Sequence, residues 1–139
     1  MTSSPITYSV DRANHRVTAR VSSQPSFKNF SDFLNCLLAD PAFHTGDDLL
    51  WDRRAATEPP TREVVENVTR LMREHRHRIG AGRVAFVVSA QSPAHFGMAR
   101  MLQIVSDWGE AFRIFTTLSD AVAWLDEGLA ADRAAKKRD

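Results

Sequence analysis

The sequence predicts an α/β domain with a mixed, mainly parallel sheet of about five strands covered by about four helices, in the order β-β-α-β-α-β-α-β-α. Three observations support this class. The chain opens with two segments of alternating apolar residues, it then alternates short apolar runs with segments of helical period, and one run is continuously apolar. A continuous run is typical of a strand buried on both faces, and alternation of strands with helices favours parallel pairing.

The two opening segments each have a single apolar face. Apolar residues occupy every second position over 6–10 and again over 17–21, which is the period of a half-buried strand. The stretch between them, 11–15, is rich in residues that form turns. We therefore predict that the two segments pair as an antiparallel hairpin.

The later elements are indicated by apolar stripes and by residues suited to helix starts. Thr61, Ser92 and Ser119 each stand where a side-chain oxygen would cap a helix, and Pro93 suits the first helical position. The predicted helices cover 27–38, 61–79, 93–108 and 119–129, and the remaining predicted strands cover 48–52, 83–89 and 112–115.

Composition predicts one cytoplasmic domain over residues 1–130, followed by a charged, frayed tail over 131–139. The formal net charge is +1, which argues against a nucleic-acid partner. No run approaches the roughly 18 apolar residues of a membrane span, and the N-terminus lacks the pattern of a secretory signal. Cys36 is the only cysteine, and we predict that it packs in the core as a small hydrophobe.

The residue types that usually carry chemistry are not arranged for catalysis. None of the histidines forms the helical pair with glutamate that binds catalytic zinc. Gly80 and Gly82 precede a strand instead of opening a helix, so they do not form a phosphate-binding loop. The sequence therefore predicts a protein that is not an enzyme and that needs no metal or other cofactor.

Scattered positions along the chain carry a family resemblance. They are the opening strand pair, Leu49–Arg53, Arg83–Val88, Phe96–Met101, Ile114–Phe115 and Ala121–Leu125. With this element order the chain resembles the STAS-like domains, named for sulphate transporters and anti-sigma-factor antagonists, and most closely their stand-alone bacterial branch. The resemblance spans about residues 5–126 and implies a regulatory or ligand-sensing module without chemistry of its own.

The same resemblance draws attention to the start of the second helix. In the anti-sigma-factor antagonists, a serine at this junction is phosphorylated by a partner kinase. The corresponding segment here, 52–61, contains no serine, and its only hydroxyl groups belong to Thr57 and Thr61. These two threonines are therefore the residues of this junction that phosphorylation would modify.

Two segments that follow strands are predicted to form a binding site. Segments 52–61 and 89–101 follow the third and fourth strands, and ligands of open α/β sheets bind at the carboxyl ends of strands. The expected occupant is a protein partner or a small apolar ligand. The residues predicted to bind it are Asp52, Arg53, Thr57, Thr61, Ser92, His95, Phe96 and Met98.

Three other interpretations remain open from the sequence. Asp52 could instead cap its loop or pair with a neighbouring arginine. A small hydrolase or phosphoryl-transfer enzyme would use Asp52 with Arg53 and His95. A self-associating subunit, such as a homodimer, would use an exposed aromatic surface at Trp108 and Phe112, which flank a predicted turn.

Overall fold

A computed structural model describes residues 5–56, 58–91, 93–105 and 108–138. The strands are β1 Ile6–Asp11, β2 Arg16–Val21, β3 Asp48–Asp52, β4 Val84–Val87 and β5 Phe112–Phe115. The helices are α1 Phe27–Ala39, α2 Arg62–Glu74, the short α3 Arg76–Ile79, α4 Pro93–Val105 and α5 Leu118–Arg138, with a 3-10 turn at Gly109–Ala111. The predicted class, an α/β fold with a mixed, mainly parallel sheet of five strands, is confirmed.

The five strands form one sheet in sequence order, β1-β2-β3-β4-β5. The predicted hairpin is confirmed, because β1 and β2 are antiparallel with Ile6 opposite Val21. Its turn ends at His15, which adopts a φ of 51°, a value compatible with a tight hairpin turn. All the later neighbours pair in parallel.

Side chains of β3 alternate between the two faces of the sheet, as the period of a strand requires. Trp51 lies on what we call the first face, where its ring contacts Phe30 and Phe33 of α1 at centroid distances of 5.7 and 5.3 Å. Buried residues of α1, α2 and α4 belong to this same apolar cluster. Three helices therefore cover the first face.

The second face is covered by α5. Leu125 is fully buried there and packs with Leu50 of β3 and Val87 of β4. The Arg83 guanidinium lies 4.9 Å from the centroid of the Trp124 ring, and its Nη1 donates to the Trp124 carbonyl at 2.8 Å. This arrangement joins α5 to the residue that precedes β4.

Local hydrogen bonds explain where the first two long helices begin. The Ser26 hydroxyl accepts from the Asn29 amide at 3.1 Å, and the Asn29 side chain accepts from the Ser26 amide at 2.9 Å, which completes a capping box. Thr61 caps α2 as predicted, since its Oγ1 accepts from the Val64 amide at 3.2 Å.

Three helix boundaries differ from the predicted ones. The predicted helix over 61–79 is interrupted at His75, whose φ of −105° and ψ of 13° separate α2 from α3. The third predicted helix is described as far as Val105, and Trp108, which the prediction included, lies outside it. The last helix begins at Leu118, with Thr117 and not Ser119 as its cap, because the Asp120 amide donates to Thr117 Oγ1 at 3.3 Å.

Two further predictions differ from the structure. Helix α5 continues to Arg138 through the segment that was predicted to fray, and the side chains over 131–135 are exposed. Arg133 donates to the Ala13 carbonyl at 3.3 Å and so contacts the β1–β2 turn. The prediction that Cys36 is buried is wrong, because this residue lies on the exposed side of α1.

None of the helices in the described part of the chain combines the length and the apolar character needed to cross a bilayer.

Candidate functional site

An apolar cavity of about 60 Å³ lies between the first face of the sheet and the helices that cover it. The exposed Ser26 and the half-buried Pro60 and Val64 form part of its wall, so the cavity reaches the surface beside the starts of α1 and α2. The apolar side chains that form most of the remaining wall are Phe30, Leu49, Trp51, Val65, Val68, Met72, Val84, Phe86, Leu102 and Phe112.

The strand period places one charged residue in this wall. Leu49, Trp51 and Arg53 stand two residues apart, and all three line the cavity, as expected for side chains on one face of a strand. The Arg53 amide donates to the Val87 carbonyl at 2.8 Å, which continues the pairing of β3 with β4 one residue beyond the strand. Arg53 is therefore held by backbone pairing at the carboxyl end of β3.

The Arg53 side chain is buried with few polar contacts. Only 3% of its surface is exposed, and its Nη2 donates to the Glu58 carbonyl at 3.2 Å. Its Nε has no hydrogen-bond partner within the described residues. Burial lowers the pKa of Arg53 to about 10, because an apolar surrounding disfavours the charged form.

A second buried arginine, Arg16, has its charge compensated by a carboxylate. Arg16 is 6% exposed, and its Nη2 donates to an Asp126 carboxylate oxygen at 2.7 Å. Arg53 has no such ion pair with a carboxylate in the described ranges. The Nε of Arg16, like that of Arg53, has no partner within the described residues, so the two buried side chains differ in whether a carboxylate compensates the charge.

Asp52, the other predicted residue at this strand end, is hydrogen-bonded to the side chain of the adjacent Arg54. Its carboxylate accepts from Arg54 Nε at 3.0 Å and from Arg54 Nη2 at 2.9 Å. Burial alone would raise the pKa of Asp52, but the hydrogen bonds and charge of Arg54 outweigh burial and lower it below 3.8. Its Oδ1 also accepts from the Arg54 amide at 3.1 Å, so Asp52 both caps its loop and pairs with a neighbouring arginine, as that alternative interpretation expected.

The other predicted binding residues divide into two groups. Thr61 lies next to the cavity rim as the cap of α2, and Met98 is half-buried in α4 but is not among the described residues that line the cavity. Thr57 and Ser92 lie outside the described residues. His95 and Phe96 belong to the first turns of α4, and their side chains also lie outside the described part.

Two more aspartates of the third strand region lie at the opposite end from Arg53. Asp47 accepts from the His44 amide at 2.9 Å, and Asp48 accepts from the Arg83 amide at 2.8 Å. Burial is the main cause that raises the pKa of Asp48. Across the described ranges, no three residues of the types that ligate metals are grouped to hold an ion.

The aromatic surface expected at Trp108 and Phe112 does not exist. Trp108 is 5% exposed and Phe112 is 2% exposed. The Trp108 indole donates to the Gly82 carbonyl at 3.3 Å, and the Arg76 guanidinium covers its ring at 3.8 Å from the centroid. Both aromatic rings therefore serve the core, and the self-association hypothesis loses the surface on which it was based.

Sequence reasoning missed the cavity itself, although it identified Arg53. Phe30, Val64 and Met72 belong to the apolar stripes of the helices predicted over 27–38 and 61–79. A stripe predicts which side of a helix is buried but not whether the buried side chains fill the available space. The one usable signal was the position of an arginine two residues after Trp51, on the inward face of a buried strand.

Comparison of the chain with protein-family models, with curated proteins and with solved structures finds no match in any of the three.

Proposed function

We propose that this chain is a non-catalytic, STAS-like domain of the cytoplasm that binds a small apolar ligand in the cavity on the first face of its sheet. The observation that carries this proposal is the cavity, which has apolar walls, reaches the surface at Ser26 and lies beside the carboxyl end of β3. Open α/β sheets commonly bind ligands at that end of their strands.

The size of the cavity limits the ligand. A water molecule needs roughly 10–15 Å³ of such volume, so the 60 Å³ available admits roughly four to six non-hydrogen atoms. An empty apolar cavity forfeits packing contacts and destabilises the fold. An apolar ligand would restore those contacts, and this gain in packing would favour its binding.

The directions of Asp52 and Arg53 favour binding over the hydrolase alternative. Adjacent residues of a strand point to opposite faces of the sheet, and Arg53 lines the cavity while Asp52 is held by Arg54. A mechanism that needs both side chains at one substrate would require the end of β3 to rearrange. A module that only binds its ligand needs no such rearrangement.

A methyl NMR titration tests the proposal with isobutyramide, a neutral probe of about the right size. We expect the methyl signals of Val68, Met72 and Leu102, which line the cavity, to shift with a common dissociation constant. The signal of Leu125, which is buried on the second face, should not shift. Shifts spread over both faces, or none at saturating probe, would contradict the proposal.

A pair of matched variants places the probe in the cavity. Val64→Phe adds a ring at the half-buried rim and should weaken isobutyramide binding. Val122→Phe adds the same ring at a half-buried position of α5 on the second face, and should leave binding unchanged. Equal effects of the two variants would mean that the probe binds elsewhere.

A further inference from the structure

The cavity contains one group that an apolar ligand does not satisfy. Arg53 is 3% exposed and lines the cavity, and its Nε lacks a partner among the described residues. Buried charges in proteins are usually paired, because an uncompensated charge in an apolar surrounding is strongly unfavourable. Arg16 follows this rule through its ion pair with Asp126, whereas within the described residues the Arg53 side chain donates to the Glu58 carbonyl and to no carboxylate.

An anion at this position would supply the missing partner. A guanidinium presents several N–H donors in one plane, which matches the two oxygens of a carboxylate. A single buried guanidinium balances a single negative charge. A phosphate monoester carries about −1.5 to −2 at neutral pH, so it would leave excess charge against the apolar walls, whereas a carboxylate would not.

We infer that the ligand of this cavity is a small carboxylate, whose anionic head pairs with the Arg53 guanidinium while its short apolar tail contacts the aromatic and aliphatic walls. This inference rests on the proposed function for the location of the site, and it replaces a wholly apolar ligand with one that has an apolar tail and a carboxylate head. The tail has only a few carbon atoms, because the cavity of about 60 Å³ leaves no room for a long chain. Trp51 and Phe86, which line the same space, would contact that tail.

The test compares isobutyrate with isobutyramide, which has nearly the same shape and no charge. Binding is followed through the cavity methyl signals at pH 7, where isobutyrate is ionised. We expect isobutyrate to bind about ten- to a hundredfold more tightly than isobutyramide, as a charge-assisted hydrogen bond in a buried site implies. Equal affinities of the two probes would overturn the inference and leave the proposed function standing.

Two variants show whether Arg53 is the source of the preference. Arg53→Met keeps the unbranched stem of the side chain and removes the guanidinium charge, so it should abolish the preference for isobutyrate while retaining isobutyramide binding. Arg54→Met removes the adjacent arginine, which pairs with Asp52, and should behave like the wild type. A preference that survives in Arg53→Met would overturn the inference. Failure of both probes to bind the wild type would overturn the inference and the proposed function together.

Discussion

Replacing Arg53 with methionine should stabilise the ligand-free protein, although it removes a hydrogen bond. Arg53 is 3% exposed, and its Nε has no acceptor in the described part of the chain. Methionine matches the arginine side chain as far as the Nε position and carries no charge, so it can pack against the same apolar walls. The expected gain reflects a general tendency of binding sites, in which residues suited to a ligand destabilise the empty fold.

The magnitude follows from the burial of the charge. Desolvation lowers the pKa of Arg53 to about 10, a shift that corresponds to about 3 kcal/mol of disfavoured charging. The lost hydrogen bond to the Glu58 carbonyl, at 3.2 Å, offsets about 1 kcal/mol of this gain. We therefore expect the free energy of unfolding of Arg53→Met to exceed that of the wild type by about 2 kcal/mol, within the range observed when buried ionic groups are replaced by apolar ones.

Urea unfolding of protein that has been refolded without ligand measures this difference. An unchanged slope of the unfolding free energy against urea concentration would show that the substitution does not act by changing the unfolded state. Arg54→Met is the control. Arg54 is 44% exposed, but its partner Asp52 is largely buried, so its loss leaves that carboxylate without its cation and should destabilise the protein by about 1–3 kcal/mol. A destabilisation of Arg53→Met by 1 kcal/mol or more would refute the reasoning, because it would show that the fold itself satisfies this guanidinium.

Three further predictions concern other parts of the fold. Tyr8 is the only tyrosine, and burial together with its 2.9 Å hydrogen bond to Asp40 raises its pKa to about 12. Phenolate absorbance should therefore rise near pH 12, and Asp40→Asn should move the midpoint of this rise toward 10. Burial raises the pKa of the Asp48 carboxyl above 3.8, so the native state binds the carboxyl proton more tightly than the unfolded state does. The native state therefore loses stability as pH rises from the unfolded pKa through the native pKa of this group. Urea unfolding between pH 4 and 7 should show that Asp48→Asn, which keeps an acceptor, removes this loss. Leu125→Ala should lower the free energy of unfolding by about 2–5 kcal/mol, whereas Leu129→Ala, at a half-buried position of the same helix, should lower it less.

Each of these predictions has a result that contradicts it. A tyrosine midpoint near 10, with circular dichroism still native, would mean that the Tyr8 hydroxyl is not held by Asp40. Because the native pKa of Tyr8 lies above its unfolded value, its contribution to stability should also disappear as pH rises from 10 toward 12. An Asp48→Asn variant with the same pH dependence as the wild type would contradict the second prediction. Equal losses for the two leucine variants would mean that the inner face of α5 has been misplaced.

Local patterns in the sequence were enough to predict most of the strands and helices of the fold. The alternating apolar residues over 6–10 and 17–21 predicted the hairpin because register in a half-buried strand follows from its apolar face. Thr61 was identified as a helix cap because its side-chain oxygen acts on an amide only three residues away. The strand periodicity and the helix cap are both local features, so the residues that determine each of them lie close together in the sequence.

Boundaries that depend on contacts between distant segments were not predicted. The predicted frayed tail is helical to Arg138, and Arg133 of this helix bonds to the β1–β2 turn. The surface exposure expected for Trp108 was wrong because its indole N–H donates to the Gly82 carbonyl and the Arg76 guanidinium covers its ring. Residues far apart in the sequence make these contacts, and no periodicity within one segment reports them.

The candidate site shows the same division. The sequence by itself determined that the chain forms alternating strands and helices and that Arg53 follows a buried strand. Only the tertiary structure decided that the helices on the first face leave a cavity of about 60 Å³, that Asp52 is committed to Arg54, and that the buried guanidinium of Arg53 lacks a carboxylate within the described residues. The physical reason is that packing volume and charge compensation depend on every element around a residue, whereas secondary structure depends mainly on its neighbours in sequence.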